Sequence, residues 1–423
     1  MAITYTATSN PGGLTGTALD GLPIEVTGLT LGTPYTFTVT ATADVVGAAS
    51  AASASVTPIV YEGKLYTWGN NAVGQLGDGT VINRSSPVQV GAGTKWLKIS
   101  SGNYHSLAQK TDGTLWSWGY NAYGQLGDGT GIHRSSPVQI GTDTDWSNLY
   151  SRRYQNFVTK KNGTLWAWGM NNSFKLGLGD EVNRNLPVQI GALTTWLKIG
   201  SGAYSGLATK TDGSLWAWGS NQQGQLGNNS GMYTVATVPI RIGTETTWKN
   251  IASSTGSRFC MATKSNGTLW TWGDNGYKSL GLGDSTNRFV PTQVGTGTTW
   301  NGVFATDYAA LATKTDGTLW AWGYNSNGES GLGDVTSDAT HRNSPVQVGT
   351  LTNWSKIICG SGHVFAIKTD GTLWSWGRND TGQLRQGNTI NRSSPVQVGA
   401  LTSWLTAVVS SGGGTAVAVL RAS

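Results

Sequence analysis

The stretch KISSGNYHSLAQKTDGTLWSWGYN, residues 98–121, decides the fold. Two alternating runs, residues 106–110 and 114–118, flank the pair Asp112-Gly113. This pair predicts a tight hairpin, because both turn residues tolerate positive φ. Within LWSW, residues 115–118, the two indoles share one face of the strand, while the leucine and serine share the other. A strand with bulk on both faces is predicted to be buried between layers.

The same pattern recurs along the chain, in units of roughly 50 residues. Seven Trp-Gly pairs mark the units, with their tryptophans at Trp68, Trp118, Trp168, Trp218, Trp272, Trp322 and Trp376. Such units cannot bury both faces alone and must stack on their neighbours. Seven of them predict an all-β fold, a seven-bladed β-propeller. Residues 411–419 match the strand missing before the first Trp-Gly pair, so the two ends of the chain are predicted to complete one blade together.

The repeat blocks also carry a family resemblance. GNNAVGQLG at residues 69–77, its copy at 119–127, and SGNYHSLA at 101–108 resemble the repeat of the regulator of chromosome condensation family. The resemblance spans about residues 60–423 and implies a seven-bladed propeller. It also implies one candidate activity, guanine-nucleotide exchange on a small GTPase at chromatin. The chain has neither the long wedge insertion nor the basic tail expected for that activity.

Residues 1–58 differ sharply in composition and are predicted to form a separate segment, followed by the propeller at 59–423. They contain no Lys or Arg, and they hold two strand-like runs at residues 22–27 and 35–42. The segment resembles the later half of a fibronectin type III module, with Tyr35 at the position of its corner tyrosine. A complete module needs about a hundred residues. Two interpretations stay open, a compact β-sandwich-like linker or an attachment device completed by another chain.

Composition limits the classes of function. The formal net charge is +6, but the longest basic runs are only the pairs at 152–153 and 160–161, so we expect no nucleic-acid binding. No apolar run approaches the roughly 18 residues of a membrane helix, and the first ten residues do not resemble a signal peptide. With two cysteines, no disulfide framework is expected.

No constellation of catalytic or metal-binding residues stands out, so we expect no enzyme activity and no cofactor. The four histidines, His105, His133, His341 and His363, show no metal-ligand spacing. Cys260 and Cys359 are expected to be buried thiols. Gln75 stands where a phosphate-binding loop needs lysine, so residues 69–77 are expected to form a propeller turn.

Two features suggest where contacts form. An arginine precedes the proline of six units by three residues, at Arg84, Arg134, Arg184, Arg288, Arg342 and Arg392. We expect these arginines to be structural, bonded to carbonyls of a neighbouring blade. Insertions fall only in units four to six and place candidate partner-binding residues on altered loops: Met232, Tyr233, Ser257, Arg258, Thr336, Asp338 and His341. The alternative interpretation is that the insertions are neutral changes in loop length, which cost little stability.

Together these features predict a non-catalytic structural or binding protein. The low charge and near-uniform repeats are typical of surface, adhesion or virion components such as capsid decorations and tail fibres, outside the cell, with a protein or glycan as the partner. Residues 1–58 are the expected attachment point to a partner, to a larger assembly or to another copy. The alternatives are a regulator of a small GTPase and, less favoured, a glycan-active enzyme.

Overall fold

The structure is a computed structural model that describes residues 3–19, 24, 26, 29, 33–43, 45–56, 63–92, 95–256, 258–336, 341–402, 404–409 and 417–422. The chain divides into two compact units, residues 1–61 and 62–423. Among the described residues, no helix is long and apolar enough to cross a membrane.

The first unit contains a three-stranded antiparallel sheet. Its strands are β1 (Thr4–Asn10), β2 (Thr15–Leu19) and β3 (Thr36–Thr42), in the order β2-β1-β3. The run predicted at 35–42 is therefore a strand, whereas most of the run at 22–27 lies outside the described residues. The free side of β3 is covered by residues 50–56, because the amides of Ser50 and Ser53 donate to the carbonyls of Val39 and Phe37.

The second unit is an all-β propeller of seven blades, as predicted. Six blades are numbered along the chain, and each holds four consecutive antiparallel strands. Blade 2 has β6 (Trp96–Ser101), β7 (His105–Lys110), β8 (Leu115–Gly119) and β9 (Arg134–Gln139). Blade 3 has β10 (Trp146–Arg152), β11 (Gln155–Lys160), β12 (Leu165–Gly169) and β13 (Arg184–Gln189), with a short 3₁₀ turn at Asn172–Phe174. Blade 4 has β14 (Trp196–Ser201), β15 (Ser205–Lys210), β16 (Leu215–Asn221) and β17 (Thr234–Ile242).

The remaining blades follow the same order. Blade 5 has β18 (Trp248–Ser253), β19 (Phe259–Lys264), β20 (Leu269–Gly273) and β21 (Arg288–Gln293). Blade 6 has β22 (Trp300–Ala305), β23 (Ala309–Lys314), β24 (Leu319–Gly323) and β25 (Arg342–Gln347). Blade 7 has β26 (Trp354–Cys359), β27 (His363–Lys368), β28 (Leu373–Gly377) and β29 (Arg392–Gln397).

Blade 1 closes the ring with strands from both ends of the unit. Its strands are β30 (Trp404–Val409), β31 (Val417–Ala422), β4 (Gly63–Gly69) and β5 (Arg84–Gln89). Antiparallel pairing of β31 with β4 places Val417 opposite Trp68. The ring is therefore closed by backbone hydrogen bonds between segments about 350 residues apart in sequence.

The repeated tryptophans join each blade to the one before it. The indole N–H of Trp118 donates to the carbonyl of Gln75 in the preceding blade at 3.0 Å. Five further seams make the same bond, donated by Trp168, Trp218, Trp272, Trp322 and Trp376. These six indoles are fully buried. The Trp-Gly repeat therefore supplies a large apolar group and one directional contact at each of these seams.

The repeated arginines make contacts other than the predicted bonds to carbonyls of a neighbouring blade. Five of them form ion pairs with an aspartate in the turn of their own unit, not with a neighbouring carbonyl, at N···O distances of 2.5–3.0 Å: Arg84–Asp78, Arg134–Asp128, Arg184–Asp180, Arg288–Asp284 and Arg342–Asp334. The turn folds back, so its carboxylate lies beside the first residue of the fourth strand. Arg392 makes no such pair among the described residues.

Candidate functional site

One end of the propeller concentrates tyrosine side chains. This end carries the loops between the first and second strands and between the third and fourth strands of each blade, and we call it the tyrosine face. Nine of the fourteen tyrosines lie on these loops, namely Tyr233 and eight at recurring positions: Tyr104, Tyr120, Tyr123, Tyr154, Tyr204, Tyr277, Tyr308 and Tyr324. These eight occupy three repeat positions, directly before the second strand, directly after the third, and three residues further on.

The first tyrosine cluster spans blades 2 and 3. Tyr104 and Tyr154 stack with ring centroids 6.3 Å apart, and Tyr123 meets Tyr154 edge-on at 5.3 Å. Tyr120 packs on the imidazole of His133 at 4.6 Å. Burial raises the pKa of Tyr154, so its phenol remains a neutral hydrogen-bonding group at physiological pH.

The second cluster spans blades 5 and 6. Tyr277 packs on Tyr308 at 4.6 Å and meets Tyr324 edge-on at 5.5 Å. His341 is buried 4.9 Å from Tyr324, and its Nδ1 lies 3.0 Å from the hydroxyl of Thr336. Because blades 2 and 3 lie across the ring from blades 5 and 6, the two clusters flank the central channel.

Cations lie between and beside the tyrosines. The guanidinium of Arg153 is 5.0 Å from the ring of Tyr204 and donates to its hydroxyl at 3.0 Å. Arg258 lies 5.0 Å from the ring of Tyr308 and forms an ion pair with Asp274 at 3.4 Å. Such contacts hold the planar cations against the rings and present both to solvent at fixed positions.

The first strands of all seven blades line a central cavity of about 340 Å³. At its end near the tyrosine face, Arg152 donates from Nε to the carbonyl of Ser201 at 3.2 Å. Burial lowers the pKa of Arg152 and raises that of Asp307, although Thr255 donates to the Asp307 carboxylate and the guanidiniums of Arg153 and Arg152 favour its charged form. Arg152, which lines the cavity, and Asp307 thus interact electrostatically in a partly desolvated setting.

The structure brings together some of the predicted partner-binding residues and separates others. Arg258, Thr336 and His341 belong to the second tyrosine cluster. Met232 and Tyr233 lie in the loop before β17, with 43% and 75% of their surface exposed. Ser257 and Asp338 lie outside the described residues.

The cysteines and two of the histidines are buried in the blades. Burial lowers the pKa of His105 and of His363 to about 4 and raises that of Cys260 and Cys359 to about 12. No group of three or more His, Cys, Asp or Glu side chains suited to hold a metal occurs in the described part of the chain. These groups are held in their neutral forms at physiological pH.

The tyrosine face was not predicted from the sequence, because neither the insertions nor the repeated arginines point to the tyrosines. Aligning the units by their Trp-Gly pairs would have placed all eight tyrosines in three columns, because each column maps to one end of the blades. An excess of tyrosine at loop positions was the available signal.

Comparisons with known proteins agree with this architecture. Residues 157–419 match the RCC1-like domain, and residues 62–109 and 112–147 match the regulator of chromosome condensation (RCC1) repeat. Human E3 ubiquitin-protein ligase HERC2 is 29% identical over 143 residues, which are 33% of this chain and 3% of that protein. The chain therefore corresponds to a small part of that relative.

Two solved structures share the fold. Prp20p from Saccharomyces cerevisiae, described with its binding properties to Gsp1p and histones, has a TM-score of 0.75 at 20% identity and covers 86% of this chain and 92% of its own. The structure of human WBSCR16 has a TM-score of 0.73 at 20% identity. The match covers 85% of this chain and 99% of the WBSCR16 chain. From the family match over more than half of its length, the chain belongs to the RCC1-like domain family of β-propellers.

Proposed function

We propose that this propeller is a non-catalytic protein-recognition scaffold whose partner docks on the tyrosine face. The observation that carries the proposal is the gathering of eight tyrosines at recurring positions on one end of the ring, with Arg153 and Arg258 against two of them. Tyrosine and arginine are enriched where protein interfaces gain most of their binding energy. They sit on loops that a rigid scaffold positions.

The clusters are pre-ordered, which favours recognition. Tyr104, Tyr154, Tyr308 and Tyr324 each pack on another ring within about 6 Å, so their rotamers are restricted before binding. Fewer rotamers are lost on association, and the entropic cost of docking is lower.

The test compares variants of the two ends of the propeller. Tyr154→Ala with Tyr308→Ala removes one ring from each cluster, whereas Leu193→Ala with Leu401→Ala removes exposed apolar groups from loops at the opposite end. Immobilised full-length variants are used to capture partners from the source organism, and the captured protein is then purified and titrated. We expect the tyrosine variant to lose at least tenfold in affinity and the leucine variant to bind like wild type. Equal affinities of the tyrosine variant and the leucine variant would show that the partner does not dock on the tyrosine face.

A second candidate narrows the partner to a small GTPase. The likeness to Prp20p, which is described with its binding to Gsp1p, favours it over the surface or virion role expected from composition. Nothing in the described part of the chain or among the relatives favours that other role, which stays a prediction. The direct test is release of fluorescent GDP from Gsp1p with and without the full chain. Faster GDP release would support exchange activity. Binding of Gsp1p without faster GDP release would support recognition without exchange.

For residues 1–61 we propose attachment to another protein or to a second copy. The support is a small sheet, β2-β1-β3, in a segment without basic residues, with the fibronectin-like position Tyr35 buried. Light scattering on the full chain and on residues 62–423 tests it, since loss of an oligomer on truncation is the expected result.

A further inference from the structure

The seam between blades 7 and 1 differs from the other six. At those six, a glycine with φ of 69–72° lies against the tryptophan of the next blade, and a Cβ there would come within 2.6–2.8 Å of the indole. At the seventh seam Arg385 occupies the glycine position, with φ 61°. Its guanidinium lies 4.6 Å from the ring of Trp68 and donates to the carbonyl of Ser85 across the seam.

The same seam lacks the usual tryptophan bond. The indole N–H of Trp68 is buried and has no hydrogen-bond partner among the described residues, whereas its six equivalents donate to a carbonyl. A cleft of about 470 Å³ opens here, lined by Trp68, Arg385, Arg84, Thr381 and Asn388. The substitution of glycine by arginine therefore coincides with a cleft at the point where the ring closes.

Blade 7 also lacks the acid that pairs with the repeated arginine. The aspartate of the other units stands at one of two turn positions, represented by Asp78 and Asp180. In blade 7 these two positions hold Gln386 and Asn388, which are neutral. Arg392 consequently has no ion pair, and its Nε is buried without a hydrogen-bond partner in the described chain.

The local charge balance follows from these exchanges. Compared with a unit such as that of Arg184 and Asp180, blade 7 has gained Arg385 and lost one carboxylate, so its turn is two charges more positive. Of the nearby acids, Asp78 is paired with Arg84 and Asp380 with Arg378. Burial lowers the pKa of Arg385, as expected for a cation removed from water without a counter-charge.

We propose that this cleft binds an acidic protein segment, whose aspartate or glutamate carboxylate lies against Arg385 and beside Asn388, at the position from which Asp180 pairs with Arg184 in blade 3. In five units the arginine pairs with a carboxylate of its own turn, so the geometry for such a pair is built into the repeat. Arginine favours carboxylates because its planar donors match both oxygens. The inference rests on the proposed protein-recognition function but concerns a site separate from the tyrosine clusters.

The test uses a fluorescein-labelled, amidated hexaglutamate peptide and the full chain, with anisotropy measured at low ionic strength. Asn388→Asp supplies the missing carboxylate in cis and alters no side-chain volume. Asn228→Asp adds the same charge to the equivalent turn of blade 4, where Ala236 replaces the arginine. We expect saturable binding that falls at least tenfold with Asn388→Asp and with Arg385→Gln, and less than twofold with Asn228→Asp.

Three results would overturn the proposal. They are an absence of saturable binding, equal losses with Asn388→Asp and Asn228→Asp, and equal binding of an amidated hexaserine peptide. Because the peptide assay needs neither the tyrosine clusters nor a natural partner, it can fail while the tyrosine-face variants still lose their partner. Conversely, the peptide can bind the cleft even if the tyrosine-face variants keep their affinity for the natural partner.

Discussion

Gly77 lies directly against Trp118 of the next blade, so that a methyl group on Gly77 would stand 2.6 Å from the indole nitrogen. The same indole donates to the carbonyl of Gln75, two residues earlier in the same loop. The loop must approach the ring closely for this bond to form. Glycine is therefore required for space as well as for its φ of 72°.

Replacing Gly77 by alanine is expected to destabilise the propeller by about 3 kcal/mol or more, through left-handed strain and overpacking together. Gly141→Ala is the control, because Gly141 also has positive φ, at 56°, but no atom lies within 4 Å of its added Cβ. That variant should lose only about 1–2 kcal/mol. Urea unfolding of both variants measures the difference, and equal losses would mean that contact with Trp118 contributes nothing.

The indole hydrogen bonds can be isolated by comparing two seams. Trp168→Phe leaves the carbonyl of Gln125 without its 3.1 Å donor, whereas Trp68→Phe removes an indole that makes no such bond among the described residues. We expect Trp168→Phe to cost about 1 kcal/mol more, because the buried carbonyl of Gln125 loses one of its two donors and keeps only the side-chain amide of Asn156. Denaturant midpoints compared at equal m-value measure it, and a larger loss for Trp68→Phe would contradict this account.

The fold was predictable from the sequence because the same blade pattern occurs seven times. Asp112-Gly113 and the alternating runs around it specify a hairpin locally, and the interval of 50–54 residues fixes the blade. The partner of Arg84 was not predictable, because Asp78 reaches it only after the turn folds back through its contacts with Asn71. Sequence spacing does not reveal such a fold-back.

The candidate site was harder to predict than the fold. Tyr104 and Tyr154 are 50 residues apart and stack only because neighbouring blades place equivalent positions side by side. Arg385 and Trp68 meet only across the ring closure. Insertions indicated Arg258 and His341, but uninserted loops supply most of the tyrosines.

Asn121 is expected to be one of the most sensitive polar positions. Its side-chain amide donates to the carbonyls of Thr130 and Ile132, and its oxygen accepts the amide of Leu126, all while fully buried. Asn121→Leu leaves several buried backbone groups without a hydrogen-bond partner. We expect it to lower the free energy of unfolding by about 3 kcal/mol or more. The exposed Asn301→Leu is the control and should change stability by about 0.5 kcal/mol or less. Thermal unfolding separates the two, and similar melting temperatures would contradict the role assigned to Asn121.

Lys175 should make stability depend on pH in an unusual direction. At its repeat position four other units have glutamine, whose oxygen accepts an amide two residues earlier, as Gln125 does from Tyr123. Lysine cannot accept, and the amide of Ser173 donates to Glu181 instead. The Lys175 ammonium lies 5.7 Å from the ring of Tyr204, and burial together with Arg153 lowers its pKa to about 7.

The unfolded chain, in which this lysine titrates near 10.5, binds more protons than the folded chain between pH 7 and 10.5. The free energy of unfolding should therefore rise with pH across this window, by up to about 1.4 kcal/mol per pH unit. Lys175→Gln removes the group and restores the repeat's acceptor, so its stability should exceed that of wild type most at pH 6–7 and converge with it towards pH 10. Urea unfolding of both proteins from pH 6 to 10 measures the gap. Parallel curves would mean that Lys175 keeps an ordinary pKa in the folded protein.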